Sequence, residues 1–254
     1  VLYYWCSAHS GMGGQINTNS TKGSSNFDGD VTPADEVPVV KVNQTAGFSI
    51  ISYKGQSGTY KVGHGLGVAP ELIITKVRGG TGSWWTHTTA VDATLDYLAL
   101  NLQQQTSDSG AYSISLPTST TFGDDDDFTT NNVTAISYCL SSVEGYSKIG
   151  TYIGNGSSTD GTFVFLGFKP SFIMTKQTNG SGSWFIFDNK RNGYNETEPY
   201  VMANATNAEG TDLGWDLLSN GFKLRNNYAQ TNGSGSTYLY LAFAESPFKN
   251  ARAR

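Results

Sequence analysis

Ala69-Pro-Glu-Leu-Ile-Ile-Thr-Lys76, with Gly82-Ser-Trp-Trp85 behind it, returns one hundred residues later as Lys169-Pro-Ser-Phe-Ile-Met-Thr-Lys176 with Gly182-Ser-Trp-Phe185. Each version is a short run rich in β-branched and aromatic residues, the make-up of a half-buried strand. The likeness extends outward. Gly47-Phe48-Ser49 and Tyr53 match Gly145-Tyr146-Ser147 and Tyr152, and Val143-Glu144 matches Ala244-Glu245. A period of about 100 residues is too long for a solenoid unit and fits tandem domains.

Short β-type runs recur within each copy: Leu72–Val77, Ala135–Leu140, Thr162–Leu166, Phe172–Lys176 and Thr237–Ala244. Asp216-Leu-Leu-Ser-Asn-Gly-Phe-Lys-Leu224 predicts a hairpin turning on Asn220-Gly221, because Asn-Gly fits the primed turn that matches strand twist. No amphipathic helix of useful length interrupts the pattern. The expectation is an all-β chain of two tandem β-sandwich or jelly-roll-like domains, residues 46–144 and 145–254. One large sandwich made from both copies is the alternative. Residues 17–45, polar and punctuated by Thr32-Pro33 and Val37-Pro38, read as a linker.

Only 15% of the 254 residues are charged, whereas Tyr (14), Phe (13), Trp (5) and Gly (30) are plentiful. This is the profile of a β-rich extracellular or virion protein. The net charge of −5 argues against nucleic acid or an anionic membrane as partner. No run of about 18 apolar residues is present to span a bilayer as a helix. Cys6 and Cys139 are too few for a disulfide scaffold. Cys139, inside an apolar run, reads as a small buried hydrophobe. Stability must then come from core packing and from assembly.

Residues 1–16 carry a separate signal. In Tyr3-Tyr-Trp-Cys-Ser-Ala-His-Ser-Gly-Met-Gly-Gly14, Cys6, His9 and Met12 supply a thiolate, an imidazole and a thioether directly after an aromatic strand. That set suits a blue-copper centre, and the stretch resembles the C-terminal ligand loop of cupredoxins in short-loop spacing. The resemblance implies a further His from an earlier strand, so copper at Cys6, His9 and Met12 requires a residue upstream of Val1. A chain that opens in mid-strand is expected to be a piece of a longer protein. The competing reading keeps the motif as a metal-free structural turn.

Over residues 46–250 a second resemblance is more specific. Val62-Gly-His-Gly-Leu-Gly-Val-Ala-Pro70, Glu144-Gly-Tyr-Ser-Lys-Ile-Gly-Thr-Tyr-Ile-Gly-Asn-Gly156, Leu218-Ser-Asn-Gly-Phe-Lys-Leu224 and Ala242-Phe-Ala-Glu-Ser-Pro-Phe-Lys-Asn250 carry it. They resemble an uncharacterised tandem β domain of phage tail-fibre-like virion structural proteins. The resemblance implies a place in a virion and assigns no reaction.

The remaining chemistry is weighed residue by residue. His64, in Gly63-His-Gly-Leu-Gly67, reads as a surface turn. Asp124-Asp-Asp-Asp127 offers hard oxygen ligands that suit calcium, against the commoner meaning of a solvated acidic loop. No Gly-x-Ser-x-Gly elbow or His-Glu-x-x-His pair occurs, so no enzyme is expected. Trp84-Trp85 and Trp184-Phe185 place adjacent rings on opposite strand faces. Trp84 and Trp184 are therefore candidates for stacking on a sugar, with core or inter-subunit packing as the alternative. The insert Phe187-Asp-Asn-Lys-Arg-Asn-Gly-Tyr194 adds Asp188, Arg191 and Tyr194 as candidate glycan contacts, because recognition residues concentrate on loops over a rigid scaffold.

These observations lead to the C-terminal part of a phage tail fibre or related appendage, located in the virion. Its expected partners are itself (a homotrimer), other virion tail proteins, and a host-surface glycan or receptor. The alternatives are a secreted or cell-surface microbial carbohydrate-binding or adhesion module, and a fragment of a cupredoxin-like copper protein.

Overall fold

The structure is a computed structural model and describes residues 2–5, 13–16, 38–192 and 195–246. In chain order the strands are β1 (Leu2–Trp5), β2 (Gly13–Ile16), β3 (Val39–Asn43), β4 (Phe48–Lys54), β5 (Thr59–Gly63), β6 (Leu72–Val77), β7 (Trp85–Thr88), β8 (Asp96–Ala99), β9 (Ser107–Asp108), β10 (Thr121–Asp125), β11 (Thr134–Leu140), β12 (Ser147–Ile153), β13 (Phe163–Phe165), β14 (Pro170–Gln177), β15 (Trp184–Asp188), β16 (Tyr200–Met202), β17 (Trp215–Leu218), β18 (Gly221–Leu224) and β19 (Thr237–Ala244). One-turn helices α1 (Asp126–Thr129) and α2 (Ala229–Asn232) follow β10 and β18. The chain is all-β, and among the described residues every strand pairing is antiparallel.

Strand order shows the duplication directly. The large sheet of the first copy runs β3-β4-β11-β6-β7-β8-β9, and that of the second runs β12-β19-β14-β15-β16. Setting β4 on β12 aligns β11, β6, β7 and β8 with β19, β14, β15 and β16. The small sheets are β10-β5 and β13-β18-β17. The first copy adds β3 and β9, and the second adds β17. Residues 39–43 of the expected linker are thus a strand, paired with β4 from Val39↔Ser52 to Asn43↔Phe48. Their alternating apolar side chains, Val40 and Val42, pack on the first core. The rest of that linker, 17–37, lies outside the described residues.

Alternation along each strand divides the large sheets into two faces. In the first copy Ile51, Tyr53, Ile73, Ala135 and Cys139 point inward and meet Tyr60, Val62 and Phe122 of the small sheet. In the second, Tyr152, Ile173, Tyr238 and Tyr240 meet Val164, Trp215, Phe222 and Leu224. The opposite faces of the large sheets are also apolar, and they pack on each other. Leu72, Leu98 and Leu140 share one cluster with Ile149, Met174, Trp184, Leu239 and Leu241. The result is two sandwiches stacked back to back, four sheets deep. The junction between copies is a tight turn in which Val143 bridges Ser147.

Two glycines are dictated by the backbone. Gly47, opening β4, has φ +60°, and an added Cβ there would sit 2.5 Å from the Ser141 carbonyl oxygen. Its counterpart Gly145 also has positive φ, at 73°, so the repeat keeps Gly where an L side chain is strained. The hairpin before β18 forms as expected, but its turn is Ser219-Asn220 with Gly221 already in the strand. Gly221 is needed for space, because a Cβ there would lie 2.0 Å from the Val164 carbonyl oxygen.

Candidate functional site

The two copies differ in what they bury. Phe122↔Val62 in the first copy corresponds to Phe222↔Val164 in the second, which sets Asp124 on Leu224. Likewise Leu72↔Thr88 and Phe172↔Asp188 set His87 on Phe187. The second core is apolar at both positions, whereas the first holds a carboxylate and an imidazole. Asp124 Oδ2 accepts from Tyr53 Oη at 2.6 Å and from Tyr60 Oη at 3.0 Å, and Oδ1 accepts the Asp125 amide at 2.9 Å. Tyr53 is also hydrogen-bonded with Ser137, Ser137 with Thr75, and Tyr60 with Thr129 of α1. Burial lifts the Asp124 carboxyl to about 6, and the hydrogen bonds it accepts offset only part of that rise. Burial and the Asp124 charge push both tyrosines upward, so they stay protonated donors.

The acidic run is therefore not a solvated loop. Asp124 and Asp125 are buried in β10, and Asp125 caps α1 by accepting the Asp127 amide at 3.0 Å. Asp124 faces the hydroxyls of Tyr53 and Tyr60. Phe128 of α1 sits among Trp85, His87, Tyr97 and Tyr112, with ring centroids 4.7–5.2 Å away. His87 is fully enclosed there, and burial lowers its imidazole to about 4, so it is neutral. His64 is also buried, which corrects the surface-turn expectation. Its Nδ1 accepts the Leu66 amide at 3.1 Å and its Nε2 lies 3.1 Å from the Thr118 carbonyl oxygen, fixing a neutral Nε2–H tautomer.

Accessible polar chemistry gathers instead in the second copy. A cleft of about 260 Å³ is lined by Lys169, Asn189, Asn192, Asn195, Thr197, Leu217 and Glu245. It lies where the β15–β16 insert meets the start of β14, the end of β17 and the end of β19. Lys169 and Glu245 pair at 2.9 Å, and Asn189 Nδ2 donates to Glu245 at 2.8 Å. Asn195 is locked by two bonds to Leu217, accepting its amide and donating to its carbonyl, each at 3.0 Å. Asn189 Oδ1 is buried without a hydrogen-bond partner. That lining, with three side-chain amides and its one cation already paired, offers several hydrogen-bond positions and little net charge.

The expected glycan residues have different fates. Asp188 and Arg191 lie in the insert but serve the loop itself. Asp188 Oδ1 accepts the amides of Lys190 (2.9 Å) and Arg191 (3.1 Å), and Oδ2 pairs with Arg191 Nε at 2.8 Å. Trp184 is 1% exposed and donates from Nε1 to the Ala99 carbonyl at 3.0 Å, so it joins the two copies and offers no face to a sugar. Trp84 is 36% exposed and stacks on Tyr138 with ring centroids 6.5 Å apart. Tyr194 lies outside the described residues, as do Cys6, His9 and Met12. Asn189 stands beside Asp188 and Arg191 in the insert that the sequence pointed to, whereas Asn192 and Asn195 escaped notice as site residues because Asn is common throughout the chain. The signal that marks them is their concentration within one repeat-specific insert.

Lys176 is an unusual buried cation. It is 0% exposed between the two copies, its Nζ donates to the carbonyls of Gln177 (2.7 Å) and Gly180 (3.4 Å), and burial lowers it to about 8. Its counterpart Lys76 reaches the Gly82 carbonyl from a partly exposed position.

No curated protein and no solved structure matches the chain. Residues 17–247, which take in both copies and the strand before them, match the family described as a domain of unknown function, DUF7483, and the chain belongs to that family.

Proposed function

We propose that this chain is a non-enzymatic virion structural module, the C-terminal part of a phage tail fibre or related appendage, and that its second copy holds a neutral host-surface glycan. The observation that carries the glycan reading is the asparagine-lined cleft with the orphaned acceptor Asn189 Oδ1. A buried acceptor without a donor is costly, and a sugar hydroxyl is a donor of the right kind. Amides at several angles fix the orientation of a polyol, while the internal Lys169–Glu245 pair leaves no free cation in the lining to select an acidic sugar. The virion placement rests on the likeness of residues 46–250 to phage structural domains. The strongly perturbed side chains of the first copy, Asp124, Tyr53, Tyr60 and His87, are all buried, which supports a structural part for them.

Self-association as a homotrimer belongs to the same reading. Phe163 and Phe165 are 44% and 59% exposed on the outermost sheet, where the first copy has Lys61 and Gly63. Light scattering at micromolar concentration should return three chains per particle, and a monomer would remove this part. For the cleft, Asn189→Ala should weaken adsorption to host cells and retention on a glycan array by about tenfold, the scale of one lost well-placed hydrogen bond. Its melting temperature should stay at the parent value. Unchanged adsorption would discard the cleft. Antibody label on cell walls in place of virion tails would discard the virion placement.

A further inference from the structure

Asp96 of β8 lies between Thr88 of β7 and Asp108 of β9, its direct cross-strand neighbours. Like charges directly opposite each other in a ladder repel. Asp92, in the turn that leads into β8, adds a third carboxylate whose charge acts on Asp96. Asp96 is nevertheless 6% exposed, and its Oδ2 is buried without a hydrogen-bond partner. The obvious neutral donor is already used, because the Thr88 hydroxyl donates to the Glu71 carbonyl at 2.8 Å. Both charges that act on Asp96, those of Asp92 and Asp108, are negative.

The neighbouring carboxylates are held in place. Asp92 Oδ1 accepts the Thr94 amide (2.9 Å) and hydroxyl (2.6 Å), and Asp108 Oδ1 accepts the Gly110 amide at 2.7 Å. These bonds fix position and supply no cation. The second copy has nothing like it. The pairs His87↔Tyr97 and Phe187↔Tyr200 set Asp96 on Pro199.

We propose that Asp96 and Asp108 bind a calcium ion, with Asp92 contributing charge and water completing the shell. Buried carboxylate oxygen with no donor and only negative neighbours is what a hard divalent cation satisfies. Among the described residues no group of three acidic, His or Cys side chains could hold an ion by itself. Two carboxylates plus water place the affinity in the weak class of extracellular calcium modules, about 10⁻⁴–10⁻³ M. The proposal is independent of the glycan cleft, which lies in the other copy.

Calorimetric titration of the chelator-treated chain with calcium chloride, paired with thermal melts up to about 10 mM, tests it. Saturable heat in that affinity class and a higher melting temperature are expected. Asp96→Asn should melt higher than the parent in chelator, because the repulsion is gone, and should lose the calcium response. Asp108→Asn, on the sheet edge, should weaken binding by about tenfold or more, and it serves as the second variant if Asp96→Asn does not fold. Asp124→Asn should respond like the parent. Four results would overturn the site: no heat and no melting shift, a shift retained in both Asp96→Asn and Asp108→Asn, a shift reproduced by sodium chloride at equal ionic strength, or a response lost in Asp124→Asn.

Discussion

Tyr53 of β4 donates a 2.6 Å hydrogen bond to Asp124 of β10 across the interior of the first sandwich, tying its large sheet to its small one. In the second sandwich Leu224 stands in place of Asp124, and Tyr152, the counterpart of Tyr53, donates to the Thr231 carbonyl at 2.7 Å. One ancestral packing problem thus has two solutions, a carboxylate shared by two tyrosines and an apolar contact with a backbone acceptor nearby. The polar solution makes the first copy responsive to pH.

For Asp124 the folded carboxyl is raised to about 6 by burial, above its value in the unfolded chain. The penalty of holding it charged is present at neutral pH and is relieved as pH falls through 6 toward 4. Its contribution to stability should rise over that window by on the order of 2–3 kcal/mol. Urea midpoints of the parent and Asp124→Asn at pH 7 and pH 4 check this. Equal pH dependence in the two proteins would contradict it.

His87 works in the opposite sense. Burial holds its folded imidazole at about 4, so the unfolded chain takes up a proton first. Stability is lost as pH falls from about 6.5 toward 4. His87→Phe installs the residue of the other copy and removes that loss. The variant's advantage over the parent should grow on acidification, to on the order of 2–3 kcal/mol near pH 4. Calorimetric melts across this range read it, and a constant difference between the two proteins would refute it.

Trp184 closes the seam between the copies, buried to 1% with Nε1 bonded to Ala99. Trp184→Ala removes a large side chain together with its hydrogen bond to the Ala99 carbonyl, at an expected cost of about 3–5 kcal/mol. Because the loss falls on the shared layer, the variant should unfold in two calorimetric transitions where the parent shows one. A single transition at the parent's temperature would mean the seam contributes little.

Asp188 and Asn189 are adjacent but should behave differently. Asp188→Ala deletes two amide caps and the Arg191 pair, so it should lower stability by about 1–2 kcal/mol. Attachment per folded molecule should persist if the loop still closes. Parallel melts and adsorption assays on Asp188→Ala and Asn189→Ala separate a residue that holds the loop from one that meets the ligand. Identical profiles would undo the distinction.

Much of the strand pattern was legible in the residues. Leu72–Val77 and Thr237–Ala244 are strands at the expected bounds, because alternation and β-branched composition act locally. Cys139 is buried inside β11, as its apolar neighbours implied. Val39–Asn43 was missed as a strand because Pro38 and the polar stretch before it dominate the local composition.

What the sequence determined by itself is the duplication and the all-β class, since repeat matching and two-residue alternation need no knowledge of distant neighbours. Only the tertiary structure decided which face of each strand meets what. Trp84 and Trp184 each follow Gly-Ser at matching places in the repeat, yet one is partly exposed and the other is sealed between the copies. The fate of Asp124 likewise depends on Tyr53 and Tyr60, 71 and 64 residues away along the chain. Burial of a charge is set by the donors that folding brings to it, and a run of four aspartates carries no local mark of which member those donors will reach.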